Sequence, residues 1–273
     1  MRKILLSFDG THYSKGAFDF AKRMNEDEPI LLTGAFLPQV DFANSWSYAH
    51  GGGSMYIPLI ESYDADIVAA NISRFEEDCV KHNIEHRVHT DFSSFALPEL
   101  QRESRYADLM ILGSQRFYEN LGLENPNEYL RDALHDAECP VLIAPEKFDY
   151  PESVVLAYDG SSSSVYAIKQ FAYLFPELCK TSTILVYASK REGKRMPDED
   201  YIRELAARHF SDLTFYELDV NPRDYFSTWI ADLDSPILVS GAFGRSGFSQ
   251  IFRQSFASDI IAEKQFPVFI AHR

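Results

Sequence analysis

A chain of 273 residues, with 45% hydrophobic and 25% charged side chains, has a globular composition and enough length for one large or two medium domains. Its formal charge of -15 sets it against nucleic acid and anionic membrane, whose own negative fields repel it. Cys79, Cys139 and Cys179 are isolated and form no C-x-x-C pair, and no stretch approaches the roughly 20 apolar residues of a membrane helix, so the expectation is a soluble chain of the reducing cytoplasm with neither disulfides nor a zinc site.

In chain order, the first predicted strand covers 3–8. The run from Met1 to Phe8 imitates the start of a signal peptide, but Asp9 ends its apolar stretch too early. The second strand covers 30–36, and Pro38–Tyr63 follows as a long loop holding Trp46, Tyr48, the triplet Gly51-Gly52-Gly53 and Tyr56. A long aromatic loop beside a strand end buries rings that water disfavours, which suits either a lid or a contact arm. His82, His86 and His89 lie where a helix end passes into a strand, so they point different ways and argue against a metal site. Strands at 85–90, 108–112 and 141–144 complete a first half, and Glu146–Glu152 joins it to a second. There the strands fall at 153–158, 183–187, 214–219, 236–240 and 267–271. Ser161–Phe175 and Glu199–Phe210 show helical spacing, with Ser or Asp near their starts.

The two halves repeat one another. Ile4-Leu-Leu-Ser-Phe-Asp9-Gly10-Thr11 returns as Val154-Val-Leu-Ala-Tyr-Asp159-Gly160-Ser161, Leu109–Ser114 as Ile237–Ala242, and Cys139–Ala144 as Phe266–Ala271. A period of about 130–150 residues is too long for a solenoid and marks duplicated domains, 1–147 and 152–273. Strand alternating with helix implies a doubly wound parallel sheet in each, with ligands bound at the carboxyl ends of the strands where the winding reverses. Asp9 and Asp159 serve equally as turn residues or helix caps, and Asp159 and Gly241 sit at strand ends that face one crevice.

The segment Gly241-Ala-Phe-Gly244-Arg245-Ser-Gly247 leads from a strand toward a helix that begins near Ser255. Glycines let backbone N–H groups approach an anion, and a helix N-terminus adds free donors and a positive dipole end. The G-x-x-G-x-x-G spacing is neither the dinucleotide fingerprint nor the P-loop, which needs Lys. Residues 1–150 carry 13 Lys and Arg against 25 Asp and Glu, while 151–273 carry 13 against 16, so the second half tolerates an anion better. Arg245 and Arg253 are positioned in sequence to neutralise phosphate charge, though loop arginines are mostly solvated.

On these residues both halves resemble universal stress protein domains, and the whole chain resembles a tandem member of that family. Nucleotide-binding members carry G-x2-G-x9-G-[ST]. Gly241 and Gly244 match, Gln254 stands in place of the third glycine, and Ser255 holds the hydroxyl position. At positive φ, Gln costs roughly 1 kcal/mol or more relative to Gly. At a helical position its N–H stays available and its amide adds a donor. The resemblance further implies that Asp159 contacts ribose and that Tyr187 and Ala188 offer backbone to adenine. The implied fold is α/β: two Rossmann-like domains, of the adenine nucleotide alpha hydrolase type, forming a pseudo-dimer through their last strands. The implied ligand is ATP or another adenine nucleotide, with Mg left open as its companion. Partners are then the nucleotide, the chain itself as pseudo-dimer or homodimer, and a protein of unknown identity.

The first half departs from the pattern. Gly113 is followed by Arg116, Glu119 and Glu124 with no second matching glycine, so its loop is degenerate and its role structural or partner-directed. The expected function is a cytosolic stress-response module that binds nucleotide in its second half and signals or scaffolds. A slow ATP hydrolase is the first alternative, although the loop offers no histidine or carboxylate close in sequence as general base. A nucleotide-free interaction protein with structural glycines is the second.

Overall fold

The computed structural model describes residues 1–9, 11–37, 62–90, 96–113, 128–188, 195–218, 229–230, 232–241 and 266–272. Its first half comprises β1 (Arg2–Phe8), α1 (Lys15–Asp27), β2 (Ile30–Phe36), α2 (Ser62–Lys81), β3 (Glu85–Thr90), α3 (Ala96–Ser104), β4 (Leu109–Gly113), α4 (Glu128–Asp136) and β5 (Val141–Ala144). The second comprises β6 (Ser153–Tyr158), α5 (Ser162–Leu174), β7 (Ser182–Ala188), α6 (Glu199–His209), β8 (Asp212–Leu218), β9 (Pro236–Gly241) and β10 (Val268–Ala271). Every predicted strand is present, with ends shifted by a residue or so.

The strands form one ten-stranded sheet in the order β3-β2-β1-β4-β5-β10-β9-β6-β7-β8. Read outward from the middle, each half has the same order, and its winding reverses between β1 and β4 or between β6 and β9. All neighbours are parallel except β5 and β10, which pair antiparallel through Val268↔Ile143, Phe269↔Leu142 and Ile270↔Val141. The expected pseudo-dimer thus forms through the last strands and removes two open edges. Pro140 and Pro267 begin these strands without a donor to lose, and their carbonyls accept from Met110 N at 2.9 Å and Leu238 N at 3.1 Å.

The central strands are buried on both faces, which is why they read as continuous apolar runs. Ile4, Leu6 and Phe8 share a core with α1 and α2, as do Val154, Leu156 and Tyr158 with α5 and α6. Leu5, Val155 and Ala157 face the opposite core, where Ala96, Leu100, Leu130 and Ala133 of α3 and α4 pack. At the seam Phe20 meets Phe175 edge-on at 6.0 Å, and Phe175 meets Phe269 at 5.9 Å. Arg2 spans the halves, with one guanidinium nitrogen on Leu174 O and the other on Glu28 at 2.8 Å.

The three cysteines are free and buried, and burial pushes each thiol up to about 12, so all stay protonated at neutral pH. No helix among the described residues is long and apolar enough to cross a membrane.

Candidate functional site

The site expected from the sequence lies on the crest formed by the carboxyl ends of β6, β7 and β9. Asp159 follows Tyr158 at the end of β6, the strand between the other two. Its Oδ1 accepts from Ser161 N at 2.9 Å, which makes it a turn residue; the cap of α5 is Ser161, whose Oγ accepts from Ser164 N at 3.1 Å. No acidic residue occupies the first turn of α5, so its positive end is not neutralised from within the helix.

Tyr187 and Ala188 are the last residues of β7, not residues beyond it, and Tyr187 lies opposite Tyr158. The Tyr187 side chain is buried in the core under α5 and α6, and its backbone is in register with Tyr158 on one side and Glu217 on the other. Tyr158 is also buried, and its hydroxyl donates to Pro197 O at 2.8 Å; desolvation, reinforced by Asp198 and Asp159, raises its pKa. Gly160 has φ of +80, and an added Cβ would come within 2.8 Å of the Pro197 ring, so the turn is closed from above.

Gly241 ends β9 beside this turn, and the structure gives it a packing role. A Cβ there would lie 2.5 Å from Ser164 N and 2.6 Å from Ser163 C, both in the first turn of α5. Gly113 is under the same constraint, since its Cβ would lie 2.6 Å from the Ser14 hydroxyl that caps α1. Both glycines permit a helix to start against a strand end, whatever else they do. Asp159, Tyr187, Ala188 and Gly241 are brought together on three adjoining strands; Gly244, Arg245, Arg253, Gln254 and Ser255 lie outside the described residues.

The corresponding crest of the first half is filled from within. Asp9 is 6% exposed; its Oδ1 accepts from Thr11 N at 2.9 Å and His12 N at 2.8 Å, and its Oδ2 meets His12 Nδ1 at 2.9 Å. The α1 N-terminus is occupied as well, because Glu146 Oε2 accepts from Lys15 N at 3.1 Å and Gly16 N at 3.5 Å while Ser14 accepts from Ala17 N. Neither His12 nor Glu146 was singled out by sequence reasoning. The only local signal was the contrast of Ala144-Pro145-Glu146 with Ala271-His272-Arg273, an acid in one copy and a base in the other.

Other sequence expectations resolve differently. His86 Nδ1 meets Ile84 O at 3.2 Å, His89 Nδ1 meets Glu103 at 2.8 Å, and the His82 ring lies 6.3 Å from Phe18, so the three turn to separate partners. Asp198 precedes α6 as expected for a cap, but it sits at φ 49 and makes no capping hydrogen bond. Residues 38–61 of the aromatic loop lie outside the described residues, and Ser62 and Tyr63 begin α2.

No protein-family model matches the chain, and no curated protein matches it. Solved structures do. A universal stress protein from Archaeoglobus fulgidus aligns over 100% of this chain and 96% of its own, with a TM-score of 0.63 at 15% identity. A putative universal stress protein from Pseudomonas aeruginosa aligns over 100% and 93%, with a TM-score of 0.54 at 15% identity. A functionally unknown protein from the same species aligns over 100% and 92%, again with a TM-score of 0.54 at 15% identity. The chain therefore has the universal stress protein fold along its whole length.

Proposed function

We propose that this chain is a tandem stress-response protein that binds one adenine nucleotide, on the crest of its second half, and acts as a signalling or scaffolding module in the cytoplasm. The observation that carries the reading is the difference between two otherwise equivalent crests. In the first, Asp9 is consumed by Thr11 and His12, and the Glu146 carboxylate already sits on the N–H groups of α1. Neither helix has an acid in its first turn, but in the second crest the sequence counterpart of Glu146 is Arg273, and Asp159, the Tyr187–Ala188 backbone and Gly241 adjoin at the winding reversal.

On this reading Asp159 holds the ribose hydroxyls, the backbone at Tyr187 and Ala188 meets the adenine edge, and Gly241, Gly244, Gln254 and Ser255 receive the phosphates, with Arg245 beside them. These residues supply binding and orientation, Asp159 being the one carboxylate among them, and the reading assigns at most weak turnover. The packing demand on Gly241 favours the nucleotide-free reading to one degree only: that glycine has a cause without a ligand.

Calorimetric titration with ATP, together with mass spectrometry of what the purified protein carries, tests the proposal. It expects one site per chain, lost in Gly244→Glu and retained in Asp9→Ala. No binding, or two equal sites, overturns it.

A further inference from the structure

A cavity of about 550 Å³ opens between α5 and α6, on the helix side of the second half. Its walls are Val165 and Tyr166 from α5 and Tyr201, Ile202 and Leu205 from α6. Besides the phenols of Tyr158, Tyr166 and Tyr201, the polar groups are Ser161 and Ser162 at the start of α5, Lys169 about two turns further on, and Asp198 on the facing rim. That size and that lining are those of a small-molecule site. Lys169 is half-buried and makes no ion pair or hydrogen bond among the described residues. The rim is held in left-handed backbone at Gly160, φ +80, and at Asp198, φ 49.

The duplicated half shows what this space accepts. Lys3 faces Leu31, which faces Glu85, just as Ser153 faces Ser182, which faces Asp212. Counting back from Glu85 and Asp212, Arg74 corresponds to Tyr201, Phe75 to Ile202 and Asp78 to Leu205. In the first half the Tyr13 ring lies among these positions. It stacks on Phe8 at 5.2 Å, its hydroxyl donates to Asp78 at 2.9 Å, and the Arg74 guanidinium lies 4.2 Å from its centre. The residue corresponding to Tyr13 is Ser163, which lies within α5 because that helix begins at Ser162, whereas α1 begins only at Lys15. One copy supplies its own phenol ring, and the other leaves the space open and lines it with apolar side chains.

We propose that the α5–α6 cavity is a binding site for a flat aromatic molecule bearing one anionic group. The ring takes the place that Tyr13 takes in the first half, between Val165 and Leu205. The anion lies toward Lys169, about two turns along α5 from its N-terminus, and Asp198 keeps it from the α6 side. This site adjoins the proposed nucleotide crest at the Gly160–Ser161 turn but takes its anion at Lys169 and does not rest on the nucleotide reading.

The probe is 8-anilinonaphthalene-1-sulfonate, an aromatic anion, with neutral N-phenyl-1-naphthylamine beside it. The sulfonate is expected to bind the full chain saturably at one site, with enhanced fluorescence. Leu205→Trp, which refills the space, abolishes that binding, and Val165→Trp does the same from the other wall should the first variant fail to fold. Lys169→Met weakens the sulfonate about tenfold and leaves the neutral dye unchanged. Gly244→Glu leaves both dyes unchanged, so this site and the nucleotide reading fail separately. Absence of saturable binding, or equal binding in folded Leu205→Trp or Val165→Trp, overturns the site. Equal sulfonate affinity in Lys169→Met overturns the anion.

Discussion

Replacing Gly241 by Ala separates the two reasons a glycine can stand at the end of β9. The new Cβ would lie 2.5 Å from Ser164 N and 2.6 Å from Ser163 C, and these are backbone atoms of a helix that cannot turn aside as a side chain can. The start of α5 must move by several tenths of an ångström, against a core that holds Ala167, Ile168 and Phe171 at 0% exposure. Overpacking of this kind costs roughly 1–3 kcal/mol, or about 2–12 °C in Tm for a chain of this size. Gly113→Ala is the paired control. There the clash is with the Ser14 side chain, which can rotate away at the loss of its cap, a cost of about 1 kcal/mol. Urea unfolding of both variants is expected to rank Gly241→Ala as the more destabilised, with nucleotide affinity falling in that variant alone. An unchanged midpoint in Gly241→Ala would refute the packing argument and leave the glycine to the ligand entirely.

At the seam, Phe269→Ala removes a fully buried ring that meets Phe171 at 5.4 Å and Phe175 at 5.9 Å; a loss of about 3–5 kcal/mol is expected in chemical unfolding, with the two halves ceasing to unfold together. Alkaline stability follows from the cysteines: their folded pKa values stand near 12 against 9.0 for a free thiol, so stability is complete below about pH 9 and falls as the unfolded chain releases protons the folded chain keeps. By about pH 10 each thiol costs roughly 1 kcal/mol, and urea midpoints at two pH values, compared with a Cys-to-Ala triple variant, check it. Gln254→Gly is expected to tighten ATP more than adenosine, measured by calorimetry, because the change acts at the phosphate end; an unchanged or weaker ATP affinity would make Gln254 a participating residue.

The fold was legible because its strands are sandwiched between helix layers and so appear as short apolar runs, even where an edge strand such as Glu85–Thr90 alternates charge with Val88. The pseudo-dimer contact was implied by the resemblance, and the two last strands, apolar and each following a Pro, fit it. The site was legible only where chemistry and local order coincide, as at Asp159-Gly160-Ser161. Glu146 caps a helix 131 residues earlier in the chain, and no local pattern announces a contact across that distance. Gly241 was visible as a glycine, but its packing against Ser163 and Ser164 depends on the approach of a helix, which spacing does not encode.

The two copies differ in how completely the groove beside their first helix is filled. Phe8, Phe36 and Phe75 are each at most 1% exposed in the first half and stack with or edge onto one another, while Tyr13 closes the helix groove and Glu146 satisfies the α1 N-terminus. Buried aromatic rings are among the largest contributors to a core, and an anion at a helix N-terminus adds about 0.3–1 kcal/mol. In the second half the positions of Phe75 and Tyr13 hold Ile202 and Ser163, and a cavity opens between α5 and α6. A cavity that stays open costs stability, and natural chains keep such costs where function needs them. On the proposed reading, the filled copy supports the sheet through the β5–β10 pairing while the open copy carries the sites.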